Sequence, residues 1–414
     1  MATVTKTSGG KNVPRLRFPE FTGEWEEKSL GDIAEITSSK RVFLSDYVPD
    51  GIPFFRGKEI SELKRSRVAS DVLFIKPSKF FEFKKKFGAP QSGDILITSV
   101  GTLGNIFRVN LEYDFYFKDG NLIWMKNPIV NSIFLELNLD FHRRDLLKGV
   151  IGSTQKALTI IGIKSVQIPF PTLPEQQKIA DFLSTVDDWI ENLKREKEQL
   201  EKYKKGMMQQ IFSQEIRFKA DDGNDFPEWE EKKLGEVAKI YDGTHQTPKY
   251  VKEGVPFYSV EHLTANNFSQ SKYISEEVFE NENKRVRLEK GDILMTRIGD
   301  IGTARLIDWD IRASFYVSLA LIKSNSEVMS RFLTHYIHSM NFQRELWKRA
   351  IHVAFPKKIN LGEISHCKVK LPSLPEQQKI ANFLSSIDTF IEDRAKQIKK
   401  AEKWKKGLMQ QLFV

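Results

Sequence analysis

The sequence has few of the features that mark secreted, membrane or metal-cluster proteins. Its single cysteine, Cys367, excludes an internal disulfide and a thiolate metal cluster within the chain, and predicts a small buried side chain. No apolar run approaches the roughly eighteen residues of a membrane span, and the polar first residues lack the apolar core of a signal peptide. We therefore expect a cytoplasmic protein.

Motifs of common catalytic sites are missing as well. There is no GxGxxG turn, phosphate loop or HExxH helix, and the histidines show no pairing at metal-ligand spacing. Residues 126–129 (KNPI) fall short of the Asn-Pro-Pro-aromatic turn of amino methyltransferases. Residues 231–233 (EKK) imitate part of a nuclease site, but their counterpart at 27–29 (EKS) lacks the second lysine. The sequence predicts no catalytic residue and no metal ligand.

A repeat of about 200 residues organises the chain. Residues 171–212 begin PTLPEQQKIADFLSTVDDWI and end KKGMMQQIF, and residues 372–413 begin PSLPEQQKIANFLSSIDTFI and end KKGLMQQLF. Trp25 corresponds to Trp229, and GDIL at 93–96 corresponds to GDIL at 291–294. Between these landmarks the halves differ almost completely. The pattern predicts one scaffold used twice, with two specificities.

Both repeated segments are predicted to be long helices that pair. Their apolar residues recur in steps of four and three, which is the spacing of a heptad seam. Two equal seams in one chain predict an antiparallel intramolecular coiled coil, whereas separate packing of each helix on its own domain is the alternative. The seam residues are Ile179, Leu183, Val186, Ile190, Leu193 and Leu200 with Lys197, and Ile380, Leu384, Ile387, Ile391, Ile398 and Ala401 with Arg394.

The helix starts and two glycines carry further predictions. Thr172 with Glu175, and Ser373 with Glu376, have the spacing of a capping box. Gly206 and Gly407 mark either a break in the helix or a close backbone approach.

The sequence predicts an α+β fold with an internal pseudo-two-fold repeat, in which two similar mixed α/β globular domains are joined by two long antiparallel helices. Residues 132–147 and 330–350 are predicted to be helical within these domains. The predicted segments are an N-terminal segment 1–27, a first domain 28–170, a first helix 171–212, a connector 213–231, a second domain 232–371 and a second helix 372–414.

Charge and side-chain types favour DNA as a partner. The net charge of +9 and the pI near 9.2 point weakly to a polyanion. Basic and amide side chains near the predicted strand ends can bond base edges and phosphates, although an ordinary solvated side chain is the simpler explanation for each one alone. The predicted DNA-binding residues are Lys40, Arg41, Arg56, Lys58, Ser99, Thr102, Asn105, Thr154, Gln155 and Lys156 in the first half, and Thr244, His245, Gln246, His262, Arg297, Asp300, His352, Lys357 and Lys358 in the second.

The doubled LPEQQKIA at 173–180 and 374–381, with the doubled GDIL, resembles the specificity subunits of bacterial type I restriction-modification enzymes over nearly the whole chain. The resemblance implies that each globular domain is a target recognition domain and that the helices are the conserved regions between them. It also implies a non-catalytic chain that carries two methyltransferase subunits and recruits restriction (motor-nuclease) subunits. Those partners would supply S-adenosylmethionine, ATP and Mg²⁺.

On this reading, two domains held apart by a rigid spacer read two short sequences separated by uncontacted bases, and residues 185–205 and 386–406 set the gap. Methyltransferase subunits are expected to dock on the surface around the LPEQQ turns and on the outer helix faces, although helix-start packing explains the LPEQQ motif almost as well. Two alternatives remain: a stand-alone structural DNA binder that self-associates through its coil, and an enzyme with an unrecognised site. The predicted docking residues are Glu175, Gln176, Gln177, Glu376, Gln377 and Gln378.

Overall fold

The computed structural model describes residues 5–6, 12–65, 68–148, 150–151 and 156–414, and the chain divides into two compact units. The first unit comprises Met1–Leu193 with Gln397–Val414, and the second comprises Lys194–Lys396. Each unit therefore contains the beginning of one long helix and the end of the other.

The elements up to the end of the first long helix alternate short strands with short helices, and one 3-10 turn lies at Leu44–Asp46. In chain order they are β1 (Thr5–Lys6), β2 (Leu16–Arg17), β3 (Glu26–Ser29), α1 (Leu30–Ile33), β4 (Glu35–Thr37), β5 (Tyr47–Val48), β6 (Ile52–Phe55), α2 (Gly57–Leu63), β7 (Leu73–Ile75), α3 (Pro77–Phe87), β8 (Ile95–Thr98), β9 (Ile106–Arg108), β10 (Tyr116–Phe117), β11 (Leu122–Lys126), α4 (Ser132–Phe141), α5 (Arg143–Lys148), β12 (Val150–Ile151), β13 (Ala157–Leu158), α6 (Ile160–Lys164), β14 (Gln167–Phe170) and α7 (Leu173–Phe212).

The remaining elements follow a similar order. They are β15 (Glu230–Lys233), α8 (Leu234–Val237), β16 (Ala238–Asp242), β17 (Tyr250–Val251), β18 (Val255–Tyr258), α9 (Val260–Ala265), β19 (Lys272–Ile274), α10 (Glu276–Glu282), β20 (Ile293–Thr296), β21 (Ala304–Leu306), β22 (Ser314–Phe315), β23 (Leu319–Ser324), α11 (Ser330–Ile337), α12 (Met340–Arg349), α13 (Leu361–Ser365), β24 (Lys368–Leu371) and α14 (Leu374–Leu412).

Each unit is built on two four-stranded sheets with the same strand order. The main sheets run β4-β11-β8-β9 and β16-β23-β20-β21, and all of their neighbours are antiparallel. The other sheets run β10-β6-β7-β5 and β22-β18-β19-β17, each with one parallel pair. The prediction of one mixed α/β scaffold used twice is confirmed at the level of topology.

The GDIL repeats start the central strands of the main sheets. Gly93 and Gly291 have φ angles of 93° and 95°, a region that glycine enters without the steric cost of a Cβ. Asp94 accepts hydrogen bonds from Trp124 Nε1 at 2.8 Å and from the Asn127 amide at 2.9 Å, which fixes the turn before β8. The apolar residues that follow in β8 and β20 are fully buried. The motif is therefore explained by the scaffold.

The two long helices pair antiparallel within each unit. In the first unit Lys405 bonds Asp187 at 2.6 Å, and in the second unit the equivalent Lys204 bonds Asp388 at 2.6 Å. Most of the predicted seam residues lie in the cores, and Leu200, Ile391 and Ile398 are partly buried, so the coiled-coil prediction is confirmed within each unit. The first core contains Ile179, Leu183, Val186, Ile190 and Leu193 of α7 with Ala401, Leu408 and Leu412 of α14, and the second contains Ile211 and Phe212 of α7 with Ile380, Leu384 and Ile387 of α14.

Neither reading of the helix glycines is correct. α7 runs unbroken through Gly206, and α14 runs unbroken through Gly407. A Cβ placed on either glycine would meet nothing within 4 Å, so no backbone approaches them closely.

The predicted helices at 132–147 and 330–350 are each split in two. In the second unit Ser339 accepts a hydrogen bond from the Phe342 amide at 3.4 Å and so caps a new helix, α12. In the first unit α4 ends at Phe141, and the ring of His142 bonds the Asn138 carbonyl at 3.0 Å. Apolar spacing carries through both breaks, which explains why the sequence predicts single helices.

Two expectations from composition concern membranes and the cysteine. No helix in the described part of the chain is both long enough and apolar enough to span a membrane. Cys367 is buried, and burial raises the pKa of its thiol to about 12. A thiol with a raised pKa is a poor nucleophile, which agrees with the prediction that Cys367 is a small buried side chain.

Candidate nucleic-acid interface

The main sheet of each unit brings two groups of predicted DNA-binding residues to one edge. β4 and β8 are both antiparallel to β11, so their C-terminal ends meet, and β16 and β20 flank β23 in the same way. Bridges from Val100 to Ala157 and from Ile298 to Lys358 attach a third segment in each unit. We define the first loop edge as residues 38–41, 99–105 and 156–157, and the second loop edge as residues 243–246, 297–303 and 351–358.

Exposed basic side chains line the first loop edge. Lys40, Arg41 and Lys156 are exposed, as is Thr102. The Lys40 ammonium lies 4.8 Å from the centroid of the Phe87 ring, and a polar cleft of about 490 Å³ opens beside them. Because an aromatic ring holds a cation in place without neutralising it, this edge can present positive charge to phosphates.

Arg56 and Lys58 lie at the start of α2, next to the first loop edge. Lys58 bonds Asp71 at 2.8 Å, and Arg56 donates to Glu59 and to the Asp71 carbonyl. The hydrogen bond to Glu59 raises the pKa of the Arg56 guanidinium. These two cations are therefore partly neutralised within the unit.

Two predicted DNA-binding residues of the first unit point into the fold, and two others lie outside the described residues. Ser99 is buried and donates to the Gly120 carbonyl at 2.8 Å, and Asn105 is buried and donates to Ser61 Oγ at 2.8 Å. Both side chains brace the loop instead of facing solvent, which argues against base contact by either. Thr154 and Gln155 lie outside the described residues.

The second loop edge presents His245 and Gln246, which are exposed, whereas the neighbouring Thr244 is buried. The Thr244 amide donates to the Phe315 carbonyl at 3.0 Å, and its carbonyl accepts from the Val317 amide at 3.0 Å. Thr244 is thus part of the frame that supports the exposed pair.

A buried acid, Asp242, organises the cations of this edge. It accepts from His245 Nε2 at 2.7 Å and from Arg285, and the Arg297 guanidinium lies 3.8 Å away. Burial alone would raise the pKa of Asp242, but the hydrogen bonds from Arg285 and His245 outweigh burial and leave the pKa below its ordinary value. Asp242 therefore stays ionised and orients two exposed side chains around a cleft of about 290 Å³.

Arg297 and His262 have internal roles. Arg297 is buried and donates to the carbonyls of Val317 and Ile359, and its pKa is lowered by burial against the opposing charge of Asp242. His262 is buried, and its Nδ1 accepts from the Ser259 amide at 3.0 Å at the start of α9. This geometry opposes the prediction that either residue contacts bases. Asp300 is exposed and accepts from Thr296 Oγ1 at 2.8 Å.

The last segment of the second loop edge is a hairpin that carries His352, Lys357 and Lys358, all exposed. The His352 ring lies 4.2 Å from that of Trp347, and the Lys357 ammonium lies 4.9 Å from the Trp347 ring. The Gly299 amide donates to the Lys357 carbonyl at 2.8 Å, which holds the hairpin beside Asp300. The three exposed residues and Asp300 thus lie together at the second loop edge.

Most of the predicted docking residues in the LPEQQ turns are buried and make contacts inside their own unit. Arg17 donates two hydrogen bonds of 2.8 Å to Glu175, and Arg217 donates at 3.2 and 2.9 Å to the equivalent Glu376. These carboxylates also accept from Trp25 and Trp229, so they are not used to close capping boxes. Ser373 Oγ is buried without a hydrogen-bond partner among the described residues, which also contradicts a capping box there.

The buried glutamines repeat the same arrangement. Gln176 accepts from the Asn131 amide at 3.0 Å and donates to the Pro171 carbonyl at 2.8 Å. Gln377 accepts from the Met329 amide at 2.9 Å and donates to the Pro372 carbonyl at 2.9 Å. We call each set of contacts around the buried Glu-Gln pair a helix-start clasp. Of the predicted docking residues, only Gln177 and Gln378 are exposed.

The helices expose aromatic rings at equivalent positions in both units, which the sequence analysis missed. In the first unit Trp189 and Trp404 are each 48% exposed, and their rings lie 6.3 Å apart. In the second unit the equivalent positions are Phe390 and Tyr203, which are 59% and 52% exposed. The sequence did carry a signal for these exposed rings. Each ring lies just outside the heptad seam, and a residue next to the seam does not pack inward as a seam residue does.

Sequence reasoning also missed Asp242, Arg285 and Phe355 at the second loop edge. Asp242 ends a strand and Arg285 follows α10, 43 residues along the chain, so no local pattern relates them. Phe355 is fully exposed and lies close in sequence to two lysines. An aromatic residue in a short basic loop was the sequence feature that could have identified it. Within the described residues, no three His, Cys, Asp or Glu side chains form a group that could hold a metal ion.

Comparison with known proteins gives a consistent family. The model of the type I restriction modification DNA specificity domain matches residues 22–202 and 227–403. The MjaVIII specificity subunit of Methanocaldococcus jannaschii is 27% identical, over 99% of this chain and 96% of its own length. The EcoBI specificity subunit of Escherichia coli is 22% identical, over 91% of this chain and 82% of its own length.

Solved structures are similar in fold. The S subunit of a type I restriction-modification system from M. genitalium superposes with a TM-score of 0.60 at 18% identity, over 97% of this chain and 99% of that one. A chain from a structure of type I complex assembly and conformational transition gives a TM-score of 0.58 at 17% identity, over 94% of this chain and 97% of that one.

Proposed function

The chain belongs to the type I restriction-modification DNA specificity family, and from this premise we propose that each unit reads one half of a bipartite DNA site. The observation that carries the proposal is the pair of loop edges. They stand on the same strand order, yet they present different side chains, Lys40 and Arg41 in one unit and His245 and Gln246 in the other. Two readers on one scaffold would recognise two different sequences.

The test is to co-express the chain with the methyltransferase encoded beside it and to map methylated adenines in the host DNA by single-molecule sequencing. A split motif with a fixed gap is expected. Replacing residues 28–170 should change one half-site only, and replacing residues 232–371 should change the other only. Methylation that is absent, or the same without this chain, would refute the proposal and favour a stand-alone DNA binder.

We propose further that the paired helices set the gap between the half-sites. α7 has 40 residues and α14 has 39, which corresponds to about 60 Å of helix each. Seven residues inserted after Leu193 together with seven after Lys396 fall at the division between the units and leave the contacts inside each unit in place. A heptad adds about 10 Å, so the spacer should lengthen by about three base pairs while both half-sites stay the same. An unchanged spacer would refute this role.

Methyltransferase subunits are proposed to dock on the exposed helix faces, with one subunit on each aromatic pair. Aromatic residues are common energetic hot spots of interfaces, and truncating one typically weakens binding by about 2 kcal/mol or more. Trp189→Ala with Trp404→Ala should therefore weaken one docking site, and Tyr203→Ala with Phe390→Ala the other, as measured by subunit stoichiometry in native mass spectrometry. Gln177→Ala with Gln378→Ala tests the LPEQQ surface instead. Loss of assembly in the glutamine variant alone would move the docking site to those turns.

The chain itself is proposed to be non-catalytic. S-adenosylmethionine, ATP and Mg²⁺ would be bound by the methyltransferase and restriction subunits, which act with this chain on double-stranded DNA in the cytoplasm, at the nucleoid. The purified chain supplied with all three should neither methylate nor cleave DNA carrying the mapped site. Either activity from the chain alone would refute this part of the proposal.

A further inference from the structure

A hairpin at the second loop edge carries a fully exposed phenylalanine. Ile351 pairs with Lys358, and between them Phe355 and Val353 have 104% and 97% of full exposure. Burial of an aromatic ring is favourable, and a ring held wholly in water gains nothing from the fold. Phe355 therefore has no packing role in the free protein, and its position calls for a different explanation.

The surroundings of Phe355 are basic and aromatic. Lys357 and Lys358 follow it after Pro356, and Trp347, which is 60% exposed, contacts both His352 and Lys357. Three acids lie near the hairpin. Glu345 and Glu363 lie 3.5 and 3.3 Å from Arg349, and the exposed Asp300 accepts a hydrogen bond from Thr296 Oγ1 at 2.8 Å. A cationic surface with a protruding ring is complementary to a polyanion that offers flat apolar faces, and duplex DNA with its stacked bases has this chemistry.

The base of the hairpin is fixed although its tip is free. The Ile359 amide donates to the Arg297 carbonyl at 2.9 Å, and Arg297 Nη1 donates back to the Ile359 carbonyl at 3.1 Å. On the same arm of the hairpin, the Gly299 amide donates to the Lys357 carbonyl at 2.8 Å. The ring is thus carried by a hairpin that is hydrogen-bonded to the loop after the central strand β20, and its position is tied to the rest of the second loop edge.

We propose that Phe355 is a wedge that inserts between two base pairs of the half-site read by the second unit and kinks the duplex there. Lys357 and Lys358 bind the phosphates on either side of the opened step. Apolar side chains that enter a base step unstack it, and the bend brings more protein surface onto the DNA. This inference rests on the proposed function, because the hairpin belongs to the second loop edge.

The test uses the chain in complex with its methyltransferase and a duplex that carries the mapped bipartite site. 2-Aminopurine is placed in turn at each position of the second half-site, and dyes at the two ends report bending by energy transfer. The wild-type complex should raise the fluorescence at a step other than the methylated adenine and shorten the end-to-end distance. Phe355→Ala should abolish both signals and weaken binding about 5- to 150-fold, with an unchanged salt dependence because the ring carries no charge.

Matched variants separate the wedge from other roles. Phe355→Leu should retain part of both signals, whereas Lys357→Ala should keep the fluorescence and lower the slope of log affinity against log salt by about one. Phe81→Ala removes a ring that is 55% exposed in the first unit and should change nothing. Thermal unfolding of Phe355→Ala should match the wild type, because the ring lies outside the cores.

The outcomes also distinguish the wedge from the proposed function. A complex that methylates a bipartite site but shows the same fluorescence, bending and affinity with Phe355→Ala would refute the wedge and leave the function standing. A complex that recognises no bipartite site would refute the function itself. Weaker assembly with the methyltransferase, at unchanged DNA affinity of the assembled complex, would show that Phe355 contacts a protein and that the wedge is wrong.

Discussion

The helix-start clasps of the two units are built from the same side-chain contacts, whereas the exposed side chains of the two loop edges are held by different contacts. Glu175 and Glu376 bind equivalent arginines and tryptophans, and Gln176 and Gln377 bind equivalent backbone groups. At the loop edges, Lys40 rests on the Phe87 ring in one unit, whereas His245 is held by the buried Asp242 in the other. In this comparison, the contacts that the two repeats share are made by buried side chains, and the contacts that differ hold exposed side chains.

The clasps are the first place to test this comparison, because they should give the largest effect. Glu175→Ala leaves Arg17 buried without its carboxylate, and breaking a buried pair in this way costs about 3–5 kcal/mol. Glu376→Ala should cost less, because the Arg217 side chain is 20% exposed, against 6% for Arg17, and water can hydrate it. Hydrogen exchange resolved by unit is the appropriate measurement, since two units need not unfold in a single transition.

The control for this experiment is Gln177→Ala, which changes an exposed residue at the same helix start and should leave exchange unchanged. Equal loss of protection in both units after Glu175→Ala would show that the effect of this clasp is not confined to the first unit.

Acid should weaken the second unit more than the first. Burial, with Lys204 nearby, lowers the pKa of His335 to about 3, and burial, with Arg305 nearby, lowers the pKa of His338 to about 4. As the pH falls from about 6.5 toward 4, the unfolded chain takes up protons that the folded unit does not, so stability falls. The slope is up to about 1.4 kcal/mol per pH unit for each histidine. Unit-resolved exchange between pH 7 and 4.5, corrected for the intrinsic rate, measures it.

The first unit supplies the matched substitution. Counted from Ser132 and Ser330 at the helix starts, the positions of His335 and His338 are occupied there by Leu137 and Asp140. His335→Leu should therefore make the pH dependence of the second unit shallower by about one proton. An acid response that is equal in both units, or unaffected by His335→Leu, would contradict this account.

Asp242 gives a smaller effect that depends on the proposed function. Asp242→Asn removes the charge that orients His245 and Arg285, and misplacing a base-reading side chain costs about 1–3 kcal/mol of discrimination. Binding to duplexes with substitutions in the second half-site should become less selective, whereas selectivity at the first half-site should stay the same. Phe87→Leu, which removes the ring under Lys40, is the control that acts on the first half-site only. An effect of Asp242→Asn on both half-sites would show that it disturbs the whole protein.

The loop edges also show where sequence reasoning stops. Strand ends and exposed runs such as His245 and Gln246 follow from local pattern, because a strand that enters a sheet must leave it at an edge. The inward orientation of Arg297 does not follow, because one of its partners, the Ile359 carbonyl, is 62 residues away along the chain. Ser99 reaches Gly120 in the same way. For a polar residue that follows a strand, local sequence does not show whether the side chain faces solvent or forms hydrogen bonds inside its own unit.

The LPEQQ motif shows that a local pattern can also predict a contact that the fold does not form. Its spacing fits a capping box, yet Glu175 is used by Arg17, 158 residues earlier in the chain. Local propensity predicts the helix and its first turn correctly, but a buried carboxylate takes the strongest donor that the tertiary fold supplies. The repeat and the heptad seams were predictable because each is a relation within or between continuous segments.

Gly206 and Gly407 give the smallest and most symmetrical prediction. Each lies inside an unbroken helix with open space where a Cβ would be, so alanine adds no clash and removes the entropic cost of glycine. Gly206→Ala and Gly407→Ala should each raise the free energy of unfolding of the free chain by about 0.5–1 kcal/mol, by the same amount in both units. Chemical denaturation followed by hydrogen exchange measures it. Because no contact inside either unit requires these glycines, a loss of stability in either variant would show that the helix does not run through that position as described.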